Sequence, residues 1–507
     1  MRQLGRILGI GFALVIALLV AGAYWIQDAN RLKSELEALI AENSEYTAKI
    51  NGDIKWALFP PLELKIEDLS LQRPGETINA NVELKMDLSA MWEDLDSWQV
   101  SELHLVDTVL VQDDATTTIN RFQLLDFQIN QPAEFLLDAS YKASADEPPI
   151  AAVLAGTLAY YPETASTPQR ITLTDTTVHA DMVEGVCNAD LSEVQNPPAA
   201  PGPASDDDLL PLAVLLSYNV GAECQLSKLT LEEETFHDVT VEITNIDGLL
   251  NLLIDVKDFL GGTLLTDIDI DVTQNPAAWT VLPDINNVDS QRLMDWTDQN
   301  MQWIAPIAFN SSIKMRGNSP AELINSVQAQ SEFDGGQGQI NIAKIKRQLM
   351  QIAMISGQAS EVSQWPDLWD YENFTGLWRI DGAAHFLKFT LDNMSIDAEG
   401  TIDYAADTLD MLAQVTVFEA PDASPFSINP LLQGTPIPVR CTGPTADPKC
   451  RLEQGAAQNL IARALQRDDE SGLRQKLEEK IEEDVPEEYR EAARSLLDLL
   501  GRALERN

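Results

Sequence analysis

Residues 78–91, INANVELKMDLSAM, alternate apolar and polar side chains as far as Ala90. Successive side chains of a β-strand point to opposite faces, so residues at every second position share one face. The apolar members of this stretch therefore lie together: Ile78, Ala80, Val82, Leu84, Met86, Leu88 and Ala90. The pattern predicts a strand with one apolar side and one polar side.

Alternating runs with the same period recur along the chain, separated by turn-forming Gly, Asn, Asp and Pro. They include Leu62, Leu64 and Ile66; Val239, Val241 and Ile243; Ile268, Ile270 and Val272; and Leu387, Phe389 and Leu391. We predict a mainly β protein with antiparallel strands and flanking helices. A sheet with one apolar face needs a second layer or another apolar partner. From the pattern alone, the core of an ordinary β-sandwich is the simpler interpretation.

Composition excludes several classes of function. The chain of 507 residues carries 34 Lys and Arg against 80 Asp and Glu, a formal net charge of −46, which repels nucleic acid. Its four cysteines and four histidines show no spacing typical of metal ligands. A phosphate-binding loop, a nucleophile elbow and a His-Glu-x-x-His motif are missing from the sequence. We expect no enzyme, no cofactor and no metal site.

The N-terminus contains an uncharged run of 20 residues, 7–26, which is long enough to cross a bilayer as a helix. Arg2 and Arg6 precede it, so we predict a single-pass anchor with a cytoplasmic N-terminus and an exported remainder. The alternative is a cleaved signal peptide, because Ala21-Gly22-Ala23 resembles a cleavage site. The predicted anchor includes Ile7, Leu14, Leu18 and Ile26.

Export would make disulfides possible. The short spacing of Cys441 and Cys450 in CTGPTADPKC suits a small closed loop, and Cys187 and Cys224 remain as a second pair. Four free thiols would follow if the chain stayed in a reducing compartment.

The predicted domain organisation has five parts: an anchor at 1–27, an N-terminal β domain at 28–194, a Pro/Ala/Asp-rich linker at 195–210, a second β domain at 211–452 and an acidic helical tail at 453–507. Leu32, Leu36, Leu39 and Ile40 predict a short helix on the first sheet. The tail carries an apolar stripe, and its last 41 residues hold 8 basic and 13 acidic residues. It suits a packing helix or a partner helix better than a basic membrane-surface helix.

Three segments carry a family resemblance. In INGDIKWALFPPLELKIEDLSLQ, residues 50–72, the relevant positions are Gly52, Trp56, Pro60, Leu64 and Leu69. The second runs from DFLGGTLLTDIDIDV through SSIKMRGNSPAELINSVQAQSEFDGGQGQINIAKI, and the third closes with Gly400, Pro438, Gly443 and Pro448. Together they resemble the AsmA family of inner-membrane-anchored proteins of Gram-negative bacteria. Residues 110–235 share little of the family pattern beyond strand periodicity.

This resemblance implies a β-rich half-pipe, similar to chorein-type lipid transfer proteins, in the periplasm. It implies phospholipids or other membrane lipids and the inner membrane as partners, and a role in outer membrane assembly. A second interpretation is a scaffold or regulator for outer-membrane assembly proteins without lipid transfer of its own. The residues predicted to line the groove are Val82, Leu84, Met86, Leu88, Ile268, Ile270, Leu387 and Phe389.

Overall fold

The computed structural model describes residues 29–453 with internal gaps at 45, 58–61, 88–98, 113–114, 145–146, 165–166, 196, 199–206, 300, 344–345, 348–349, 351–362, 364, 420–432 and 446–447. The predicted anchor with Ile7, Leu14, Leu18 and Ile26, the groove position Leu88, the prolines Pro60 and Pro61, and the tail after Glu453 lie outside the described residues. Within the described part of the chain, no helix combines the length and apolar content required to span a membrane.

The chain divides into two compact units. Unit 1 comprises Met1–Pro201 and Leu212–Ile254, and unit 2 comprises Gly202–Pro211 and Asp255–Asn507. Antiparallel strands dominate both units and helices are few, which confirms the predicted mainly β fold class. The predicted domain boundaries remain a prediction. Strands on either side of the predicted linker pair with each other inside unit 1.

Unit 1 is a ladder in which most strands pair with the next strand in the chain. Its elements are α1 Ala29–Asn43, β1 Thr47–Ile50, β2 Ile54–Ala57, β3 Leu62–Arg73, β4 Glu76–Asp87, β5 Gln99–Gln112, β6 Ala115–Phe127, β7 Pro132–Lys142, β8 Ile150–Tyr161, β9 Arg170–Ala180, β10 Val183–Glu193, α2 Leu212–Ser217, β11 Tyr218–Leu231, β12 Glu234–Phe236 and β13 Val239–Ile246. β1 and β2 both pair with β3, and β12 and β13 both pair with β11. From β3 to β11 the pairing is sequential and antiparallel, and β10 pairs with β11 across the predicted linker.

The next strand, β14 Leu249–Phe259, contains the boundary between the units. Unit 2 continues with β15 Gly262–Asp271, β16 Ala278–Asp289, α3 Ser290–Trp296, β17 Trp303–Ile304, β18 Pro306–Arg316, α4 Pro320–Ser326, β19 Gln328–Asp334, β20 Gly338–Asn341, β21 Leu368–Tyr371, β22 Phe374–Asp381, β23 Ala384–Leu391, β24 Met394–Asp403, β25 Thr408–Val417, β26 Ile437–Pro444 and β27 Lys449–Leu452. The main ladder runs from β15 through β16, β18, β19 and β22 to β27. β17, β20 and β21 form a separate small sheet.

Aspartates in the left-handed backbone region mark bulges in the ladder of unit 1. Asp68 has φ 53° and Asp175 has φ 48°, a conformation that Asp tolerates better than most residues. Their N–H groups donate to the Oδ1 atoms of Asn81 at 3.0 Å and Asn188 at 2.9 Å on the neighbouring strands. Each bulge inserts a residue and shifts the alternation by one position. Leu69 beyond the bulge therefore stays on the same face as Ile66 before it.

Helix α1 packs on the first strands, as the sequence predicts. Leu36 and Ile40 are buried in the main apolar cluster of unit 1, to which Trp56 packs from the side. At the polar side of the helix, the Lys33 ammonium donates to the carbonyl of Gly52, and Glu37 Oε1 accepts from the N–H of Ile50 at 2.7 Å. These contacts fix the helix against the ends of β1 and β2.

Candidate functional site

The apolar residues of unit 1 align in rows across the ladder. Residues that pair directly on antiparallel strands share a face. One row therefore runs across five strands through Leu64, Leu84, Leu103, Leu124 and Phe135. Together these rows make the apolar face of unit 1, and the side chains between them make its polar face.

In β3 to β6, here the covered stretch, the apolar face is filled by other side chains of the protein. Val82 and Leu84 are 5% exposed and Met86 is 0% exposed. All three belong to one cluster with Leu36 and Ile40 of α1. These three predicted groove positions thus lie on the predicted face but inside a closed core.

In β8 to β11, here the open stretch, the apolar face continues but is less covered. The central row crosses Leu158, Leu173, Ala189 and Ala222 on these four strands and continues to Ile243 on β13. The adjacent row crosses Tyr160, Ile171, Leu191 and Val220. Of these residues Leu158 is buried in the cluster of the covered stretch, and the others are all partly exposed. Tyr160, Ile171 and Leu173 pack against the edge of that cluster. A continuous apolar surface therefore remains partly open across four neighbouring strands.

A disulfide lies on this open stretch. Cys187 and Cys224 pair in register on β10 and β11 and are joined through their sulfur atoms. Their row continues to Thr176 on β9 and Val241 on β13. The second disulfide, Cys441–Cys450, joins β26 and β27 in unit 2.

Unit 2 also has an apolar face, and four predicted groove positions lie on it. Ile268 pairs with Val281, in a row that continues to Ile313 and Ala329. Ile268, Leu387 and Phe389 are partly exposed, whereas Ile270 is buried. The Cys441–Cys450 disulfide lies on the same face, beside Met411. Which of the predicted positions bind a ligand stays a prediction.

An aromatic cluster covers one rim of this face. It consists of Trp303, Phe333, Tyr371, Phe374 and Phe389, and the Phe333 and Phe374 rings lie 4.9 Å apart between centroids. Trp303 and Tyr371 come from the small sheet, where the Trp303 indole N–H donates to the Tyr371 hydroxyl at 2.7 Å. The sequence reasoning missed both residues, because strands of two and four residues are too short to show a period.

Gly376 makes this cluster possible. It lies between Phe333 and Phe389 on the neighbouring strands. A Cβ at Gly376 would stand 2.1 Å from the Phe333 ring and 2.5 Å from the Phe389 ring. Only glycine therefore lets these two rings meet over the strand, at 5.5 Å between centroids.

Three polar side chains occupy the opposite rim of the same face. His385 on β23 is fully buried. Its Nδ1 lies 3.1 Å from the indole Nε1 of Trp378, and its Nε2 lies 3.2 Å from the hydroxyl of Tyr404. Burial lowers the pKa of His385 and raises the pKa of Tyr404. Both side chains therefore favour their neutral forms.

The polar face of unit 1 carries ion pairs instead. Lys65 pairs with Glu83 across β3 and β4, and Lys85 pairs with Glu102 across β4 and β5. The hydrogen bonds from the two lysines lower the pKa values of the Glu83 and Glu102 carboxyls. Among the residues described by the structure, no group of three or more potential metal ligands comes together.

The fold and this site define a mainly β protein whose one-sided ladder leaves part of its apolar face open. Residues 1–116 match the family model described as AsmA family. The match confirms the family resemblance over the first of the three segments, residues 50–72, and supports an AsmA family protein; the second and third segments lie outside the match. It reaches from the N-terminus to the first residues of β6, and so ends before the open stretch. Comparisons with curated proteins and with solved structures give no significant match.

Proposed function

We propose that this chain is a non-catalytic, lipid-handling protein of the AsmA family. It shelters acyl chains, phospholipid acyl chains first, on the apolar face of the open stretch and of unit 2. An N-terminal anchor in the bacterial inner membrane would place both units in the periplasm, where the protein would support outer membrane assembly and lipid homeostasis. The role requires no cofactor, metal or nucleic acid.

The partly exposed apolar rows of β8 to β11 carry this proposal. Removing apolar area from water stabilises a complex by roughly 25 cal/mol per Å², or about 0.8 kcal/mol for each buried CH₂. An acyl chain laid across Leu191, Val220 and Ala222 would bury its own methylenes together with these side chains. The covered stretch offers no such gain, because Leu84 is already buried by the protein.

Site-specific photocrosslinking in cells tests the proposal. A photoreactive phenylalanine analogue at Leu191 should yield lipid adducts, detected by mass spectrometry of the purified full-length chain. The matched controls are Asp190, which is the adjacent residue on the polar face, and Leu84 in the covered stretch. Leu387 against Lys388 repeats the comparison in unit 2. Equal adducts at Leu191 and Asp190, or none at Leu191 and Leu387, would contradict lipid binding on these faces.

A second candidate function is the scaffold for outer-membrane protein assembly, and one surface favours it. On the polar face of unit 2, Leu377 is 47% and Phe386 37% exposed, and the Arg379 guanidinium lies 4.3 Å from the Phe386 ring. Replacing Leu377 and Phe386 with Ser, or deleting residues 467–507, separates the two functions. If a copurifying assembly protein is lost while the lipid adducts remain, the scaffold function is favoured. If both the assembly protein and the lipid adducts remain, the scaffold function is rejected.

A further inference from the structure

The hydrogen bonds that link Trp378, His385 and Tyr404 in unit 2 have a defined direction. An indole N–H can only donate, so Trp378 must donate to His385 Nδ1 at 3.1 Å. A neutral imidazole that accepts at Nδ1 carries its proton on Nε2. His385 Nε2 therefore donates to the Tyr404 hydroxyl oxygen at 3.2 Å.

This direction leaves the hydroxyl proton of Tyr404 available. Tyr404 lies in the turn between β24 and β25 and is 45% exposed. Its proton meets no hydrogen-bond acceptor among the described residues. Consecutive hydrogen bonds polarise one another, so accepting from His385 makes the Tyr404 hydroxyl a better donor.

The surroundings of His385 show that the three hydrogen-bonded side chains, Trp378, His385 and Tyr404, interrupt an otherwise apolar face. Its cross-strand partners are Ile380 and Gly400. Trp378 pairs with Leu387, which lies on the apolar face proposed to carry acyl chains. An aliphatic side chain in place of His385 would suit a purely structural core. The series of hydrogen bonds instead ends at the partly exposed hydroxyl of Tyr404, beside the proposed lipid surface.

We propose that the Tyr404 hydroxyl donates a hydrogen bond to an acceptor oxygen of a bound glycerophospholipid, with His385 and Trp378 as positioning residues. The inference rests on the proposed function, because the acyl chains would lie on the face next to it. Two oxygens share the required chemistry, the ester carbonyl and the phosphate. Asp403 at the end of β24 and Asp407 in the turn place two carboxylates near Tyr404 in the sequence, so the uncharged ester carbonyl fits better than a phosphate.

The test compares two phospholipids on the purified full-length chain, a diacyl phosphatidylethanolamine and its dialkyl ether analogue, titrated by native mass spectrometry. Tyr404→Phe should weaken diacyl binding about three- to tenfold, as expected for one net hydrogen bond. If Tyr404→Phe leaves binding of the ether analogue unchanged, the acceptor is the ester carbonyl. If the substitution weakens binding of both lipids equally, the acceptor is the phosphate. The matched control is Tyr141→Phe, at a tyrosine of unit 1 with 47% exposure.

A second measurement is independent of lipid. The ¹⁵N NMR spectrum of the lipid-free protein should show His385 as the Nε2–H tautomer, and Trp378→Phe should weaken this preference. An Nδ1–H tautomer, or a Tyr404→Phe variant with wild-type affinity for both lipids, would overturn the donor subsite alone. Failure of the wild-type chain to bind either lipid would reject the proposed function as well.

Discussion

The covered stretch, β3 to β6, and the open stretch, β8 to β11, are built from the same sequence pattern and differ in what lies over them. Both present apolar side chains in register across antiparallel strands. In the covered stretch these side chains join Leu36 and Ile40 in one buried cluster, whereas Leu191 and Val220 in the open stretch stay partly exposed. Alternation therefore decides which face is apolar, and the elements packed on that face decide whether it is a core or a surface.

The largest contrast is expected from truncating one leucine in each stretch. Leu84→Ala removes a buried side chain and should lower the free energy of unfolding by about 2 to 5 kcal/mol. Leu191→Ala removes a partly exposed side chain and should cost about 1 kcal/mol or less. Urea unfolding followed by tryptophan fluorescence measures both variants. Equal losses would mean that the open stretch is as tightly packed as the covered stretch.

A smaller contrast is expected between the two disulfides. Cys187–Cys224 joins residues 37 apart and lies in the open stretch, whereas Cys441–Cys450 joins residues only 9 apart. Chain entropy gives about 4 kcal/mol for the longer loop and about 2.5 kcal/mol for the shorter. Paired Cys→Ser variants, compared by chemical denaturation, should therefore differ by about 1 kcal/mol. The opposite order would show that packing, rather than loop closure, dominates at these sites.

A pH-dependent effect is expected in unit 2 but not from the open stretch, whose apolar face carries no histidine. Burial lowers the pKa of His385, so the unfolded chain takes up this proton at a higher pH than the folded chain does. The contribution of His385 to stability is complete above its unfolded pKa of about 6.5 and decreases as the pH falls through that value.

His385→Gln removes the titration and keeps hydrogen-bonding atoms at the site. The wild-type chain should lose more stability than this variant between pH 7.5 and pH 5.5, as measured by thermal unfolding at the two pH values. Parallel losses in both proteins would show that His385 is not responsible. Ile380 and Gly400, which pair with His385, carry no titratable side chain and so add nothing to the pH dependence of stability.

The smallest effect is expected on the polar face of the covered stretch. Lys65 and Glu83 are each 43% exposed, and solvent screens such a pair strongly. Lys65→Gln should leave the unfolding midpoint almost unchanged, and thermal unfolding at low and high salt checks this. A clear, salt-dependent loss would mean that the polar face contributes to stability together with the apolar cluster.

Sequence reasoning could predict strands and faces because both depend on neighbouring residues. The period of two placed Val82, Leu84 and Met86 on one face, and the spacing of Leu36 and Ile40 predicted the helix that shares their cluster. Burial itself could not be predicted for these strands. It depends on which elements approach from a distance, and alternation is the same in a closed core and on an open surface.

The parts of the site that sequence could not reveal lie outside regular alternation. Trp303 and Tyr371 belong to strands too short to show a period, and Tyr404 lies in a turn. The hydrogen bonds around His385 join residues on three different elements, and a lone histidine in a strand pattern gives no sign of its partners. Such contacts follow from the register of the ladder, which only the structure supplies.

The sequential pairing of β3 to β11 has a consequence for folding while the chain is being synthesised. Each strand finds its partner in the segment just before it, so most contacts form at short sequence separation and need little loop closure. A chain that emerges N-terminus first can add each hairpin to a finished template and leaves only the newest strand with an unpaired edge. Pairing each strand as it emerges limits the time that an apolar strand spends unpaired and able to aggregate, while the rest of the polypeptide is still being synthesised.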